Sequence, residues 1–290
     1  MAFVNSSGES SETRVSFMKE IQLMMYGLGD CSKPLETTAT LVETIVLDQL
    51  KRLMIQAEEI AEMRGEEIVG PEDILFLMKR NEPALKRLIT YLGIKDEKAI
   101  LNKALQELVD IDFEDQMMME DEPSQQIQWK KTRKGYCLEF LKTIGIEEAD
   151  LDMTEDIVKE TRQIRANNKS MDMSSTAYQE FHKARCASFS SAQICSQKFL
   201  DWLRQGGIEQ TLTTPVAEIL VYLAKETVAN IVDMALIIRE EAPFQMTEPS
   251  PITPSEIQEI VRRCMYQQTL PFAGFSRDLP RTADKKIFTL

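Results

Sequence analysis

Residues 213–241, TTPVAEILVYLAKETVANIVDMALIIREE, impose the strongest constraint on this chain. Proline stands only near the start and no glycine interrupts the run, so it can form one long helix. Between Ile219 and Ile238 only Lys225, Glu226 and Asp233 are charged. A stripe passes through Val216, Ile219, Leu220, Leu223, Ala224, Thr227, Ile231, Met234, Ala235 and Ile238, and other apolar residues fill much of the remaining circumference. A helix that is apolar nearly all round must be covered on nearly every side. Burying about ten stripe residues contributes roughly 15–30 kcal/mol gross, before chain entropy is subtracted.

The N-terminal third supplies a matching long segment. After Pro34, Leu41, Val42, Ile45, Val46, Leu50, Leu53, Met54, Ala57, Ile60 and Ala61 share one broad stripe, and neither Gly nor Pro intervenes before Gly65. The spacing predicts a helix of about 26 residues, roughly 40 Å long. A short helix precedes it, SFMKEIQLMMYGLGD, with Phe17, Ile21, Met24 and Met25 at helical spacing and a stop at Gly27 and Gly29. EEIVG, too short for a free-standing strand, suits a brief extended pairing. GPEDILFLMKRN then starts another short helix: Gly70 is the N-cap, Pro71 the first helical residue, and Glu72 and Asp73 lie at the positive end of the dipole. PALKRLITYLG reads as a last helix ending at Gly93.

The same order recurs near the C-terminus. SQKFLDWLRQGG is a short helix ended by Gly206 and Gly207, and after the Pro-rich loop APFQMTEPSPI comes TPSEIQEIVRRC. There Thr253, Pro254 and Glu256 form a capping box, in which hydroxyl and carboxylate satisfy each other's orphan amides. Short helix, long helix, short helix is thus written twice. Neither triplet alone covers both flanks of its long helix. Two triplets tethered on one chain meet at high effective concentration and can pack head to tail. The expected organisation is all-α: an N-terminal tail over 1–13, a first unit over 14–94, a partly helical or disordered linker of mixed charge over 95–173, a second unit with an N-terminal extension over 174–268, and a flexible tail over 269–290.

That architecture resembles the histone fold. MMYGLGD, ETTATLVETIV, RGEEIVGPEDILFLMKR and RLITYLG, with YQEFHKARCASFS, FLDWL, AEILVYLAKETVANIVDMALIIR and EIQEIVRR, resemble the suppressor-of-Ty three family of SAGA coactivator subunits. The likeness covers roughly residues 15–95 and 174–266, and YGLGD and FHKARCASFS are its most specific segments. The two halves are similar to the separate TFIID partners thirteen and eleven. The resemblance implies an intramolecular histone-like pair, residence in the nucleus, membership of the SAGA complex beside its other subunits, and binding of the TATA-binding protein for delivery to RNA polymerase II promoters. One departure stands out. Many histone folds place an arginine six or seven residues before the aspartate of the third helix, but counting back from Asp73 finds Glu67 and Glu66, with Arg64 too early. That puts the loop clamp in doubt, though not the fold.

Chemistry is scarce. His182 is the only histidine, which leaves no histidine-based triad or multi-histidine metal centre. No GxGxxG, GxxxxGK[ST] or GxSxG occurs, and no cofactor is expected. Paired carboxylates such as Glu58 and Glu59, or Glu66 and Glu67, read as solvated surface. Cys31, Cys137, Cys186, Cys195 and Cys264 lack CxxC spacing and read as reduced structural thiols. No apolar run reaches the roughly 20 residues of a membrane span, and MAFVNSSGESSETR has no signal-peptide pattern, so an intracellular soluble protein is expected.

A formal charge of −13 repels phosphate backbones and favours a basic partner surface. Glu218, Glu226, Glu240 and Glu241, near the ends of the second long helix, are the candidate contacts for that partner. Glu226→Lys is expected to weaken partner binding without unfolding the chain. The alternative is a histone-fold protein acting directly on promoter DNA through small basic patches at Lys79, Arg80, Lys86, Arg87, Arg262 and Arg263. The cluster Lys130, Lys131, Arg133 and Lys134 suits a nuclear localisation signal, and DQMMMEDEP a docking segment for another subunit.

Overall fold

The computed structural model describes residues 15–109, 132–190, 196–241 and 250–269, with 106–109 and 264–269 described by backbone alone. The tails, the Met-rich run, and Lys130 and Lys131 lie outside the described residues. Among the described residues there is helix and no strand. In chain order the helices are α1 Met18–Leu28, α2 Glu36–Arg64, α3 Pro71–Met78, α4 Glu82–Val109, α5 Arg133–Thr143, α6 Glu148–Met153, α7 Ile157–Met171, α8 Ser175–Cys186, α9 Gln197–Gln205, α10 Thr214–Glu241 and α11 Pro254–Thr269.

The two long helices, α2 and α10, pack against each other, and α1 and α11 each touch both. Val42, Val46, Leu50, Leu53 and Met54 of α2 share one core with Leu220, Leu223, Ala224, Val228 and Ile231 of α10. The arrangement is head to tail. At one end, Thr38 Oγ1 at the start of α2 donates to the Ile252 carbonyl just before α11 at 2.8 Å. At the other, Pro71 at the start of α3 shares a hollow with Thr213 and Pro215 at the start of α10. Each unit thus sets the beginning of its long helix beside the last loop of the other, as a histone pair does.

Both third helices are capped as their sequences imply. The Asp73 carboxylate accepts from the Gly70 amide at 2.8 Å. The Glu256 carboxylate accepts from the Thr253 amide at 2.7 Å, while the Thr253 hydroxyl accepts from the Glu256 amide at 3.4 Å. The clamp left in doubt is present, because Arg64 bonds Asp73 through Nε and Nη2, at 2.8 and 3.0 Å. Arg64 is the last residue of α2, and Gly65, at φ 80°, turns the chain back so that the arginine lies over the next helix start. The second unit repeats the device: Arg239, in the last turn of α10, holds Glu256 at 3.0 Å and the Ser250 and Pro251 carbonyls at 2.8 Å. Spacing in sequence failed as a guide because the loop lengths differ while the spatial relation stays the same.

Two further expectations change. EEIVG makes no extended pairing. The helix predicted to end at Gly93 continues to Val109, and the glycine serves close approach instead: a Cβ there would sit 3.2 Å from Lys134 of α5.

Arg64→Met leaves a fully buried carboxylate without its cation. A loss of about 1–3 kcal/mol is expected in urea unfolding. The Glu256 carboxyl is held below its ordinary value of 4.5: burial pushes it up, but bonds from Arg239 and from the Thr253 amide and hydroxyl outweigh that. A depressed carboxylate stabilises the fold above the unfolded value and loses that contribution as pH falls through the folded one. Glu256→Gln should therefore be less stable than the parent at neutral pH, with the gap closing on acidification below the ordinary value, as read by melts across a pH series.

Candidate functional site

The segment expected to be a linker covers the pair with side chains. Cys137 and Leu141 of α5 and Leu151 of α6 enter the main core. Burial pushes the Cys137 thiol up to about 12, with Asp96 and Glu72 adding to the effect, so it stays protonated. Thr132 caps α5 by accepting from the Gly135 amide at 3.0 Å. The next residue, Arg133, bonds Glu218 of α10 at 2.6 Å and Asp96 of α4 at 3.0 Å.

Helix α7 binds through charge. Asp156 caps it, accepting from the Lys159 amide at 3.1 Å. Lys159, Arg162, Arg165 and Lys169, at steps of three and four, lie on one face, and Ala166 is the helix's only buried residue. Arg162 bonds Glu226 at 3.0 Å, Asp233 at 2.6 Å and Asn230 at 2.7 Å, all on α10. Burial lowers the affinity of Arg162 for its proton, but Glu226 and Asp233 more than reverse this. Arg165 bonds Asp233 at 2.6 Å and the Leu28 carbonyl at 2.9 Å, and Lys169 donates to the Tyr26 and Asp30 carbonyls at 3.3 and 2.5 Å. Arg87 of α4 reaches Glu226 at 3.0 Å and Asp156 at 2.6 Å. Lys225, the remaining charge in the middle of α10, donates to the Arg185 and Ala187 carbonyls at 3.0 and 2.8 Å.

The two most specific sequence segments meet at this place. A Cβ on Gly27 of YGLGD would lie 2.8 Å from the backbone of Ala184 and Arg185 in FHKARCASFS. Only glycine lets α1 and α8 approach so closely. Tyr26 packs edge-on to Phe181 at 5.4 Å, and Phe189 joins Phe17, Phe199 and Trp202 in an aromatic cluster. Asp30 accepts from the Cys31 and Ile252 amides at 2.7 and 3.0 Å. The motif thus ties α1 to α8 and to the loop before α11.

The predicted contact residues divide. Glu218 and Glu226 are 2% and 8% exposed and belong to these internal ion pairs, so they face the chain's own arginines. Glu240 and Glu241 are exposed at the end of α10 beside half-exposed Ile237, and Glu241 pairs with Arg263 at 3.0 Å. The basic patches are largely engaged: Lys86 donates to the Asp152 and Thr154 carbonyls, Arg87 is buried in its pairs, and Arg262 and Arg263 both bond Glu259. Of the presumed nuclear-localisation cluster, Arg133 is taken up as above and Lys134 pairs with Glu148 at 2.8 Å. Arg162, Arg165 and Lys169 were not singled out from sequence, though a cation at every third or fourth residue was there to be read.

Residues 15–107 match the family model of the transcription initiation factor IID 18 kDa subunit. The chain is 36% identical over 109 residues to TFIID subunit 13 of Arabidopsis thaliana, covering 36% of this chain and 85% of that one. It is 26% identical over 243 residues to the SAGA complex subunit Spt3 of Schizosaccharomyces pombe, covering 82% and 76%. The chain belongs to the family of the TFIID 18 kDa subunit and is homologous to Spt3 over most of its length. The Spt3 of Drosophila melanogaster is 28% identical over 245 residues, 81% of this chain but 56% of the fly protein. The Spt3 matches are long enough to extend well past the first histone fold, whereas the TFIID subunit 13 match is confined to about a third of the chain. The Spt3 relatives are named as SAGA complex subunits, and no group of three or more potential metal ligands occurs among the described residues.

With Glu226 held by Arg87 and Arg162, the expectation for Glu226→Lys reverses. Placing a third cation there should cost about 3–5 kcal/mol, as breaking a buried pair does, and thermal melting should show it before any binding assay.

Proposed function

We propose that this protein is a nuclear, non-enzymatic subunit of a SAGA-type transcription coactivator that binds the TATA-binding protein and helps deliver it to RNA polymerase II promoters. The observation that carries the reading is the pairing of α2 with α10 within one chain, in a protein whose long alignments are to relatives named as SAGA complex subunits. A subunit that completes its own histone pair keeps its remaining surface for other subunits and for cargo.

Cargo chemistry follows from charge. A net charge of −13 favours a basic partner, and a protein that grips DNA presents a basic surface. With Glu218 and Glu226 engaged inside, Glu240 and Glu241 beside Ile237 are the acidic contact we assign to the TATA-binding protein. Direct DNA binding is the weaker reading, since most of the cations it would need are already held by carboxylates or carbonyls.

Titration of the full chain with the TATA-binding protein should saturate, and a promoter duplex alone should not bind. Replacing Glu240 and Glu241 together by Lys should raise the dissociation constant about tenfold, or ~1.4 kcal/mol, with no more loss of stability than the exposed Glu241–Arg263 pair carries. Steeply salt-dependent binding to duplex alone would overturn the reading.

A further inference from the structure

Where α1, α7, α8 and α10 meet, a hollow of about 290 Å³ opens beside the Gly27 contact. Its charged lining is of one sign: Lys159 and Arg162 of α7, Arg185 of α8 and Lys225 of α10, with the amides of Gln163 and Asn167 between them. No carboxylate lines it, in a chain with 47 acidic residues against 34 basic ones. Carboxylates behind the lining balance only part of this charge. Arg162 is paired with Glu226 and Asp233, and Arg165 shares Asp233. Glu226 is shared between Arg162 and Arg87, and Asp156 pairs with Arg87. Lys159 and Arg185 have no salt bridge among the described residues, and Lys225 is held by backbone carbonyls alone. Burial pulls the Lys225 ammonium below the usual lysine range and the Arg185 charge acts in the same direction, while Cys186 and Glu226 offset part of the fall. Like charges gathered in a partly desolvated hollow are costly unless an anion joins them.

We propose that this hollow is a binding site for a phosphoryl group. Lysine and arginine together suit phosphate, whose oxygens accept several charge-assisted hydrogen bonds at once, and the two amides can donate to the same oxygens. At ~30 Å³ per water the volume equals about ten waters, enough for a phosphate or a diphosphate. A long polyanion is disfavoured, because beyond the hollow it meets the field of a strongly acidic protein. The group therefore comes either from a small free phosphate ester or polyphosphate, or from one phosphorylated side chain of a partner. Bound there, it would cross-link α7 and α8 to α10 and reinforce the junction of the two motif segments.

The test is calorimetric titration of the full chain with pyrophosphate at fixed ionic strength, together with melts at rising pyrophosphate. Saturable binding and a concentration-dependent rise in melting temperature are expected. Lys159→Gln combined with Arg185→Gln, both at exposed positions, should weaken binding at least tenfold while the ligand-free melt stays unchanged. Lys19→Gln with Lys33→Gln, which removes the same charge elsewhere, should leave binding within about twofold. A second titration with a phosphoserine peptide separates the sources: tighter binding than pyrophosphate supports a partner side chain, and weaker binding supports a free phosphate compound. Absence of saturable binding, equal loss in the two double variants, or binding of a DNA duplex but not of pyrophosphate would overturn the site. None of these outcomes bears on the TATA-binding-protein titration, whose contact lies on Glu240 and Glu241.

Discussion

Everything in this molecule answers to the surface of α10. Val216, Ile219, Leu220, Val221, Leu223, Ala224, Val228, Ile231, Val232 and Ala235 are all buried, so the helix needs neighbours around its whole circumference. Helices α1, α2, α3 and α11 provide apolar cover. What they leave is a pair of carboxylates, Glu226 and Asp233, on a helix that cannot offer them water. Arg87 of α4 and the arginines of α7 meet that need, which explains why α7, a helix outside either histone fold, is fixed to the pair. A buried charge without a partner costs far more than the pair gains, so the arginines are required once the glutamate is present.

Much of this was legible in the chain, and the exceptions share a cause. The stripes gave both long helices, and the Thr253–Glu256 box and Gly70–Pro71 start marked both third helices, because caps and stripes are local. The clamp escaped because it depends on where Gly65 sends the chain, a relation in space that residue counting does not capture. Gly93 looked like a stop because glycine disfavours helix by about 1 kcal/mol, yet contact with α5 and the apolar face around Leu88 and Leu92 keep the helix going.

Helix α7 was the harder case. Periodicity is read on the assumption that apolar residues point inward and charges outward. In α7 the inward face carries Arg162, Arg165 and Lys169, while Ile157, Ile164 and Met171 are more than half exposed. Read by the usual rule, such a segment is a linker of mixed charge. Its complement is found only by looking across to Glu226 and Asp233, some seventy positions away. Glu226, isolated on an otherwise apolar stretch of α10, has its partners within the chain itself.

The covalent union of the two histone folds has a consequence for composition and inheritance. Separate histone partners must be made in matched amounts, and each can be captured by a rival when the other runs short. Here α2 and α10 are produced in equal number by one round of translation, and their association does not weaken on dilution. A change in one long helix and its compensating change in the other also travel on the same reading frame, so the interface can drift without ever being tested against a foreign half.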